Sequence, residues 1–460
     1  MNNLAQFGYA DLVACFGEAA LRLPENISAS GVSTDTRTLQ PGALFVALRG
    51  EIFDAHTLLN EATVKGAVLL IVDAGLITSD TINGVPLIRV KSTLHALGTL
   101  AWYHRRRFSI PILAIAGSAG KTSTKELAAH VLNAQYHVLK THANHNNQIG
   151  TPLTLLQLTD QHTAAVIEIG TNEPGEIEIL CAMVRPTHGL ITQIGKEHLE
   201  KLIDLDGVEK EETTLFEYLI DTGGTMLINH NDARISAWVE RHGGRGLSFG
   251  INTHADISAS VSFTQELNPI IHVVHERASL RSVMKTTGYA AALNAVAAIA
   301  VGAVFELTAT QIKQALESYM PEQNSEYGRM KVERSARFTL LNDTYNANPD
   351  SMNSALKTLQ LFPAVHRVAV LGDMRELGTA SEQEHTDCLK QAAGVADTII
   401  TLGTEFAKAS QNINHPIHCF STHNQCADFI TANIPDGSCI LVKGSRGLTM
   451  EKVVSALKGR

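Results

Sequence analysis

What this chain has little of narrows its class before any motif is read. Cysteine is sparse: six in 460 residues (Cys15, Cys181, Cys388, Cys419, Cys426, Cys439), far apart and with no C-x-x-C pair. That argues against a disulfide scaffold or zinc ribbon and points to a reducing, cytoplasmic home. An excess of cations is missing as well. Lys plus Arg number 37 against 46 Asp plus Glu, a formal net charge of −9, so bulk charge suits neither nucleic acid nor an anionic membrane surface. The opening MNNLAQFGYADLVACFGEAALRLP lacks the basic start and apolar block of a signal peptide. The longest apolar stretch, Gly288 to Phe305, is Ala-rich and interrupted by Asn294; it reads as a buried helix rather than a membrane insertion. Internal repeats and low-complexity tracts are absent. What is there, 44% hydrophobic and 18% charged residues, suffices for ordinary cores, and the length suits about three domains of roughly 150 residues.

The chain reads as α/β throughout. In residues 1–108, GALFVALRG (42–50), AVLLIVD (67–73) and PLIRV (86–90) look like strands, followed by a helix over Ser92–Arg107. Its terminal Arg105, Arg106 and Arg107 read as a solvated helix end, where cations suit the dipole. Residues 109–320 carry ILAIAG (112–117), AAVIEIG (164–170) and GLITQIG (189–195), continuous apolar runs that suggest a parallel sheet buried on both faces. TMLINH (225–230) and IIHVVHERASLRSVMK (270–285) add strands, the latter antiparallel. Residues 321–460 repeat the rhythm with FTLLND, RVAVLGD, TIITLG and CILVKGS, a doubly wound pattern whose strand ends face a ligand.

The strongest local signal is Gly117-Ser118-Ala119-Gly120-Lys121-Thr122-Ser123, between a strand and the helical KELAAHVLNA. Such a loop lets backbone N–H groups approach phosphate oxygens at a helix N-terminus, with Lys121 for the β and γ phosphates and the Thr122 hydroxyl for magnesium. It is a shortened form, because Ile115 stands where the usual pattern has its first glycine. Glu168 ends the second run, the place for a hard-oxygen magnesium ligand. His198 follows the third run in GKEHLE. In THANHNNQIG (141–150), His142 and His145 have metal-like spacing but no third partner, while Asn146 and Asn147 suit ligand contacts or a cap for the helix at Thr151-Pro152. DTYNANPDS (343–351) follows a strand and opens a helix, with Asp350 or Ser351 as its N-cap; Asn346 and Asn348 suit substrate contacts. Lys443-Gly444-Ser445-Arg446-Gly447 reads as an anion-binding turn, and STDTR (33–37) as a polar loop.

In this order, STDTR with PGALFVALRGEIFDAH, GSAGKTSTKE, NHNNQIGTPLTLL, VIEIGTNEPGEI, GKEHLE, DTYNANPDSM, LGDMRELG and VKGSRGLTMEKVV resemble the Mur ligase family, and within it the type that adds D-alanyl-D-alanine. The resemblance spans essentially the whole chain. It implies a uridine-nucleotide-binding first domain, a central ATPase and a Rossmann-like third domain that closes the site. The activity implied is ADP-forming ligation of D-alanyl-D-alanine to UDP-N-acetylmuramoyl-tripeptide through an acyl phosphate, in peptidoglycan synthesis, by a monomer using ATP and magnesium. By the same resemblance Thr122 and Glu168 hold one magnesium and His198 a second. Asn294, Asp343 and Arg329 contact the nucleotide, and Ser33, Asp35 and Arg37 the uridine half. Asn146, Asn147, Asn346, Asn348, Lys443, Ser445 and Arg446 belong to the substrate side.

Two departures stand out. The family's adenine-side helix begins G-x-H-N-x-x-N; here Ala290 and Ala291 replace the middle pair, only Asn294 remains, and Tyr289 is the candidate substitute. The family's carbamylated lysine, four residues before an aromatic, is Glu212 before Phe216. We expect Glu212 to replace the carbamate with a permanent carboxylate; the bland reading is a solvated helix residue. Two other functions stay open: a related amide ligase with another amine or acyl acceptor, and a Mur-like nucleotide-binding subunit that has lost ligation.

Overall fold

The computed structural model describes residues 3–50, 52–275, 279–321 and 328–459. Part of the 270–285 segment and of the stretch after Pro321 therefore lies outside the described residues. Among the described residues three large sheets follow one another along the chain, with a small antiparallel pair of strands, Gln6–Gly8 and Ser28–Ser30, besides. The first sheet orders its strands Val32–Ser33, Leu44–Val46, Leu69–Asp73, Val85–Val90, Thr81–Ile82, parallel except for the last short edge.

Among the described residues the central sheet has nine strands. Ile112–Ala116 lies between His188–Ile191 and Ala164–Glu168, all parallel. The sheet continues through Thr225–Asn229, Gly246–Ile251 and Ile257–Phe263, then ends in the antiparallel strands Pro269–Val273 and Leu280–Val283. Every residue of Ile112–Ala116 and Ala164–Glu168 is buried, as expected of unbroken apolar runs covered on both faces. The Ala-rich run forms the helix Tyr289–Val304. Its small buried side chains (Ala292, Ala295, Ala298) let it lie close to the helix Lys121–Leu132, which carries Asn294 to the phosphate loop. The third sheet orders Lys331–Arg334, Thr339–Asp343, Cys439–Lys443, Arg367–Gly372, Thr398–Leu402, Ile417–Phe420, parallel except for its first strand.

Two readings from the sequence need correction. Arg105 is not a solvated helix end but is buried at 5% exposure. Its Nε donates to Val184 O at 3.0 Å, and its guanidinium also bonds Phe108 O and, at 3.4 Å, Arg185 O. It thereby satisfies carbonyls at the end of the helix Glu176–Val184. Burial, and secondarily Arg185, push its pKa down to about 10. Arg106 and Arg107 are exposed, as that reading has it, with Arg107 paired to Asp11 and lying over the Phe7 and Tyr103 rings. Helical-end charge statistics failed at Arg105 because a second domain packs on that end. Arg105→Met should leave those carbonyls unpaired and lower unfolding free energy by about 2–3 kcal/mol in a urea titration; a loss under about 0.5 kcal/mol would contradict the role. The second correction concerns the helix Pro349–Leu361. Its N-cap is Asn348, whose Oδ1 accepts from Ser351 N at 2.9 Å, with Pro349 in the first turn. Neither Asp350 nor Ser351 is the cap, because the proline fixes the helix start two or three residues earlier than the polar pattern suggested.

Candidate active site

The loops after the parallel strands Ile112–Ala116 and His188–Ile191 are stitched together by hydrogen bonds. Ser118 N donates to Gln193 O at 2.9 Å, and Ser118 Oγ exchanges bonds with Gly195 N (2.7 Å) and Gly195 O (3.0 Å). Gly117 has φ +114°, and a Cβ there would stand 2.3 Å from Thr192 Oγ1. Only glycine permits that turn and that approach. Gly120, at φ +84°, opens the helix Lys121–Leu132, so the Gly117–Ser123 segment has the strand–loop–helix form that the sequence implied.

Under the loop sits a charged group. Lys121 Nζ donates to Gly117 O and lies 3.3 Å from Glu197 Oε2. Glu212, on the helix Leu205–Thr222, is completely buried, and its Oε2 accepts from Gly117 N at 2.7 Å. The bland reading of Glu212 as a solvated helix residue is therefore wrong: this helix turns that face inward against the phosphate loop. Burial, together with the neighbouring Glu197, holds the Glu212 carboxyl well above the ordinary carboxylate range despite the nearby Lys121. For Lys121, burial works against the charge, but Glu197, Glu212 and Glu168 outweigh it and raise the ammonium pKa. One buried oxygen of Glu197 and one of Glu212 have no hydrogen-bond partner.

Beside this group, Glu168 Oε1 accepts from Thr122 Oγ1 at 3.1 Å and from Asn146 Nδ2 at 2.9 Å, while its buried Oε2 has no hydrogen-bond partner. A hydroxyl and a carboxylate with an unbonded buried oxygen are donors that fit a hard divalent cation sharing phosphate and water ligands. Among the described residues no three His, Cys, Asp or Glu gather closely enough to hold an ion by themselves. His198, at φ +48°, has its Nδ1 2.8 Å from Glu376 of the third sheet's unit. Asn147 Oδ1 accepts from Gly150 N at 2.9 Å, at the start of the helix Gly150–Leu155. Asn294 Oδ1 accepts from Thr124 Oγ1 at 3.1 Å. Tyr289 lies at the junction with the last third, its N–H 3.4 Å from Thr358 Oγ1 and Lys357 Nζ over its ring.

The last third reaches the loop through Asn348, whose Nδ2 donates to Ser118 O at 3.3 Å, and through Asp350, whose Oδ2 accepts from Lys196 N at 2.9 Å. The residues of the expected anion-binding turn are engaged internally. Lys443, 3% exposed, donates to Asp343 Oδ2 (2.7 Å) and Asn346 O (2.9 Å). Arg446 forms a two-point pair with Glu451, and its N–H donates to Asn346 Oδ1. Ser445 Oγ bonds Ala347 O and Arg375 N. The turn is thus a neutralised support under DTYNANP, not an open cationic cradle. Arg329 lies over the Tyr345 ring at 4.0 Å. Ser33, Asp35 and Arg37 form a separate cluster in the first sheet's unit. Ser33 Oγ bonds the Asp35 backbone, and Arg37 makes a two-point pair with Asp35, which lowers the Asp35 pKa.

The match to known proteins follows these features. The Mur ligase middle domain matches residues 115–302, and the Mur ligase glutamate ligase domain matches residues 328–446. Over 455 residues the chain is 32% identical to the UDP-N-acetylmuramoyl-tripeptide–D-alanyl-D-alanine ligase of Haemophilus influenzae, with 96% of each covered. Against the enzyme of the same name from Escherichia coli it is 34% identical over 440 residues, with 94% of each covered. The chain belongs to the Mur ligase family. Its fold agrees over its full length with a crystal structure of MurF from Acinetobacter baumannii, at TM-score 0.90 and 27% identity. As a Mur ligase it is a three-unit, mostly parallel α/β enzyme of the ligase class. Among the described residues no helix is long and apolar enough to cross a membrane.

Three residues beside the phosphate loop of this Mur ligase escaped the sequence reading: Glu197, Lys125 and Glu376. Glu197 hid between two charged neighbours in GKEHLE. Lys125 did carry a signal, since it stands four residues after Lys121 and so on the same helix face. Glu376 had none, because its meeting with His198 is purely tertiary.

Proposed function

We propose that this Mur ligase joins D-alanyl-D-alanine to UDP-N-acetylmuramoyl-tripeptide with cleavage of ATP to ADP and phosphate, acting as a cytoplasmic monomer in peptidoglycan precursor synthesis. The chain divides into a sugar-nucleotide-binding domain (1–108), an ATP-binding domain (109–320) and a closing domain (321–460). The observation that carries the reading is the phosphate loop flanked on one side by Lys121, Glu197 and Glu212 and on the other by Thr122 and Glu168. The shared name of the two relatives, with near-complete coverage, supports the choice of substrates.

The tripeptide carboxylate attacks the γ-phosphorus of ATP, and ADP leaves. The amine of D-alanyl-D-alanine then attacks the acyl phosphate, expelling phosphate as the amide forms. The first step brings two anions together, so it needs charge and fixed donors at the transferred group. Lys121, whose raised pKa keeps it cationic, supplies that charge, and the Gly117–Ser123 backbone orients the phosphates. Thr122 and Glu168 would hold one magnesium ion, and His198, its ring oriented by Glu376, would help hold a second; bound there, the ions would supply electrostatic stabilisation of the phosphates. Glu212 stands in for the carbamate and fixes the loop through Gly117. Asn294, Arg329 and Asp343 serve the nucleotide; Asn146, Asn147, Asn346, Asn348, Lys443, Ser445 and Arg446 shape the peptide and amine side, several of them as supports.

The test is one assay with purified protein, ATP, magnesium, UDP-N-acetylmuramoyl-tripeptide and D-alanyl-D-alanine, reading phosphate release and product mass. Phosphate, ADP and the mass of the pentapeptide product are expected. AMP with pyrophosphate would overturn the mechanism, and no product with this amine would overturn the substrate. Because Ser33, Asp35 and Arg37 lie in a unit of their own, Arg37→Ala should raise the Michaelis constant for the sugar nucleotide several-fold while leaving that for ATP within about twofold, as for loss of uniform binding. Equal weakening toward both would contradict a separate uridine site.

A further inference from the structure

Lys125 is one of the largest fully buried side chains of the protein, yet it is charged. Its Nζ lies 3.1 Å from Glu126 Oε1 and 3.4 Å from Glu168 Oε2, and donates to Ala143 O at 2.6 Å. Glu126 in turn pairs with Lys140. Two cations and two carboxylates therefore form one neutral chain, running from the exposed Lys140 through the half-buried Glu126 to the buried Lys125 and Glu168. A buried ammonium costs several kcal/mol unless such partners compensate it, so the arrangement is over-determined for a mere space-filler. Ala143 sits at φ +49°, a conformation that a non-glycine residue rarely adopts. Its carbonyl is held in place by Lys125. Three residues later, Asn146 donates to the other oxygen of Glu168, and Asn146 O accepts from Gly170 N. Lys125 thus acts on Glu168 from two sides: its ammonium lies 3.4 Å from Oε2 as an ion pair without a hydrogen bond, and the loop that it anchors carries Asn146 to Oε1, which Thr122 also bonds.

We propose that Lys125 is a positioning residue for the cation site: it sets the orientation of the Glu168 carboxylate and pins the Ala143–Asn146 loop against it, so that the site is formed before nucleotide and metal arrive. This rests on the reading of Glu168 as the residue that holds the nucleotide-bound cation. Lys125 itself touches neither nucleotide nor metal.

The test uses the full chain and Mn²⁺ as a spectroscopic probe, titrated by electron paramagnetic resonance with a non-hydrolysable ATP analogue present; nucleotide affinity without metal is measured in parallel. Lys125→Met should weaken Mn²⁺ binding by about ten- to a hundredfold, the usual cost of losing an outer support of a metal ligand, while metal-free nucleotide affinity stays within about twofold. Hydrogen exchange in 141–150 should accelerate, with global melting changed far less. Because that variant leaves the buried Glu168 without its ammonium neighbour, it can fail to fold. The charge-balanced pair Lys125→Met with Glu126→Gln removes one of each sign and should show the same selective loss. Unchanged Mn²⁺ affinity in the folded variants, with Glu168→Gln still weakening it, would overturn the role of Lys125 alone. Unchanged affinity in Glu168→Gln would overturn the underlying site and this inference with it. Equal loss of metal and metal-free nucleotide binding would mean that Lys125 is merely structural.

Discussion

Lys121→Ala is expected to fold as the unaltered chain does and to release phosphate about a thousandfold more slowly, because the phosphoryl transition state loses its main side-chain cation. The fold should tolerate the change: Lys121 stands on the first turn of its helix, where alanine is a good residue, and its partners are the Gly117 carbonyl and Glu197 rather than the core. A compensating charge is also lost, since Glu197 and Glu212 then face each other without it. The melting temperature should therefore fall modestly and recover as the pH is lowered and the carboxyls take up a proton. Phosphate release within tenfold of the unaltered enzyme would contradict the assignment of the loop.

Glu212 gives the second large effect, with opposite signs for activity and stability. Glu212→Gln keeps the shape and an acceptor for Gly117 N but removes the charge; turnover should fall about a hundredfold or more under saturating substrates, and Glu212→Ala should fall at least as far. Stability should move the other way in Glu212→Gln. The carboxyl pKa in the fold lies above its ordinary value near 4.5, chiefly through burial. Between those two values the folded chain binds more protons than the unfolded chain, so Glu212 costs stability increasingly as pH rises through that window. Without added nucleotide, the melting-temperature advantage of Glu212→Gln over the unaltered chain should be small near pH 4.5 and grow towards neutral pH. A constant or shrinking advantage would contradict a buried raised carboxyl. The proposed replacement of the carbamate by Glu212 predicts independence from carbon dioxide: activity in bicarbonate-depleted buffer should equal that with bicarbonate added, and the intact mass should show no carbamate. Strong bicarbonate dependence, or an unimpaired Glu212→Ala, would refute the replacement.

The amino-acid sequence determined the elements and their chemistry wherever the signal is local. Continuous apolar runs require strands covered on both faces, and ILAIAG, AAVIEIG and GLITQIG became three adjacent parallel strands. The Gly117–Thr122 loop is legible because its glycines and lysine act through backbone geometry within seven residues. Glu168 at a strand end is legible because a parallel sheet aims that end at the ligand. Tertiary structure alone decided the rest. Whether Glu212 faced solvent or the site depended on the rotation of its helix against Gly117, and charge pattern along one helix does not encode that rotation. Arg105 became a buried cap only because the helix end at Val184 packs on it. Lys443 and Arg446 look like anion binders in sequence, but Asp343, one hundred residues from Lys443, and Glu451 neutralise them. Lys125, Glu197 and Glu376 gained partners from other strands or another domain. Charged side chains are ambiguous in sequence for one physical reason: their role is fixed by the partner and the burial they receive, and both are supplied by distant parts of the chain.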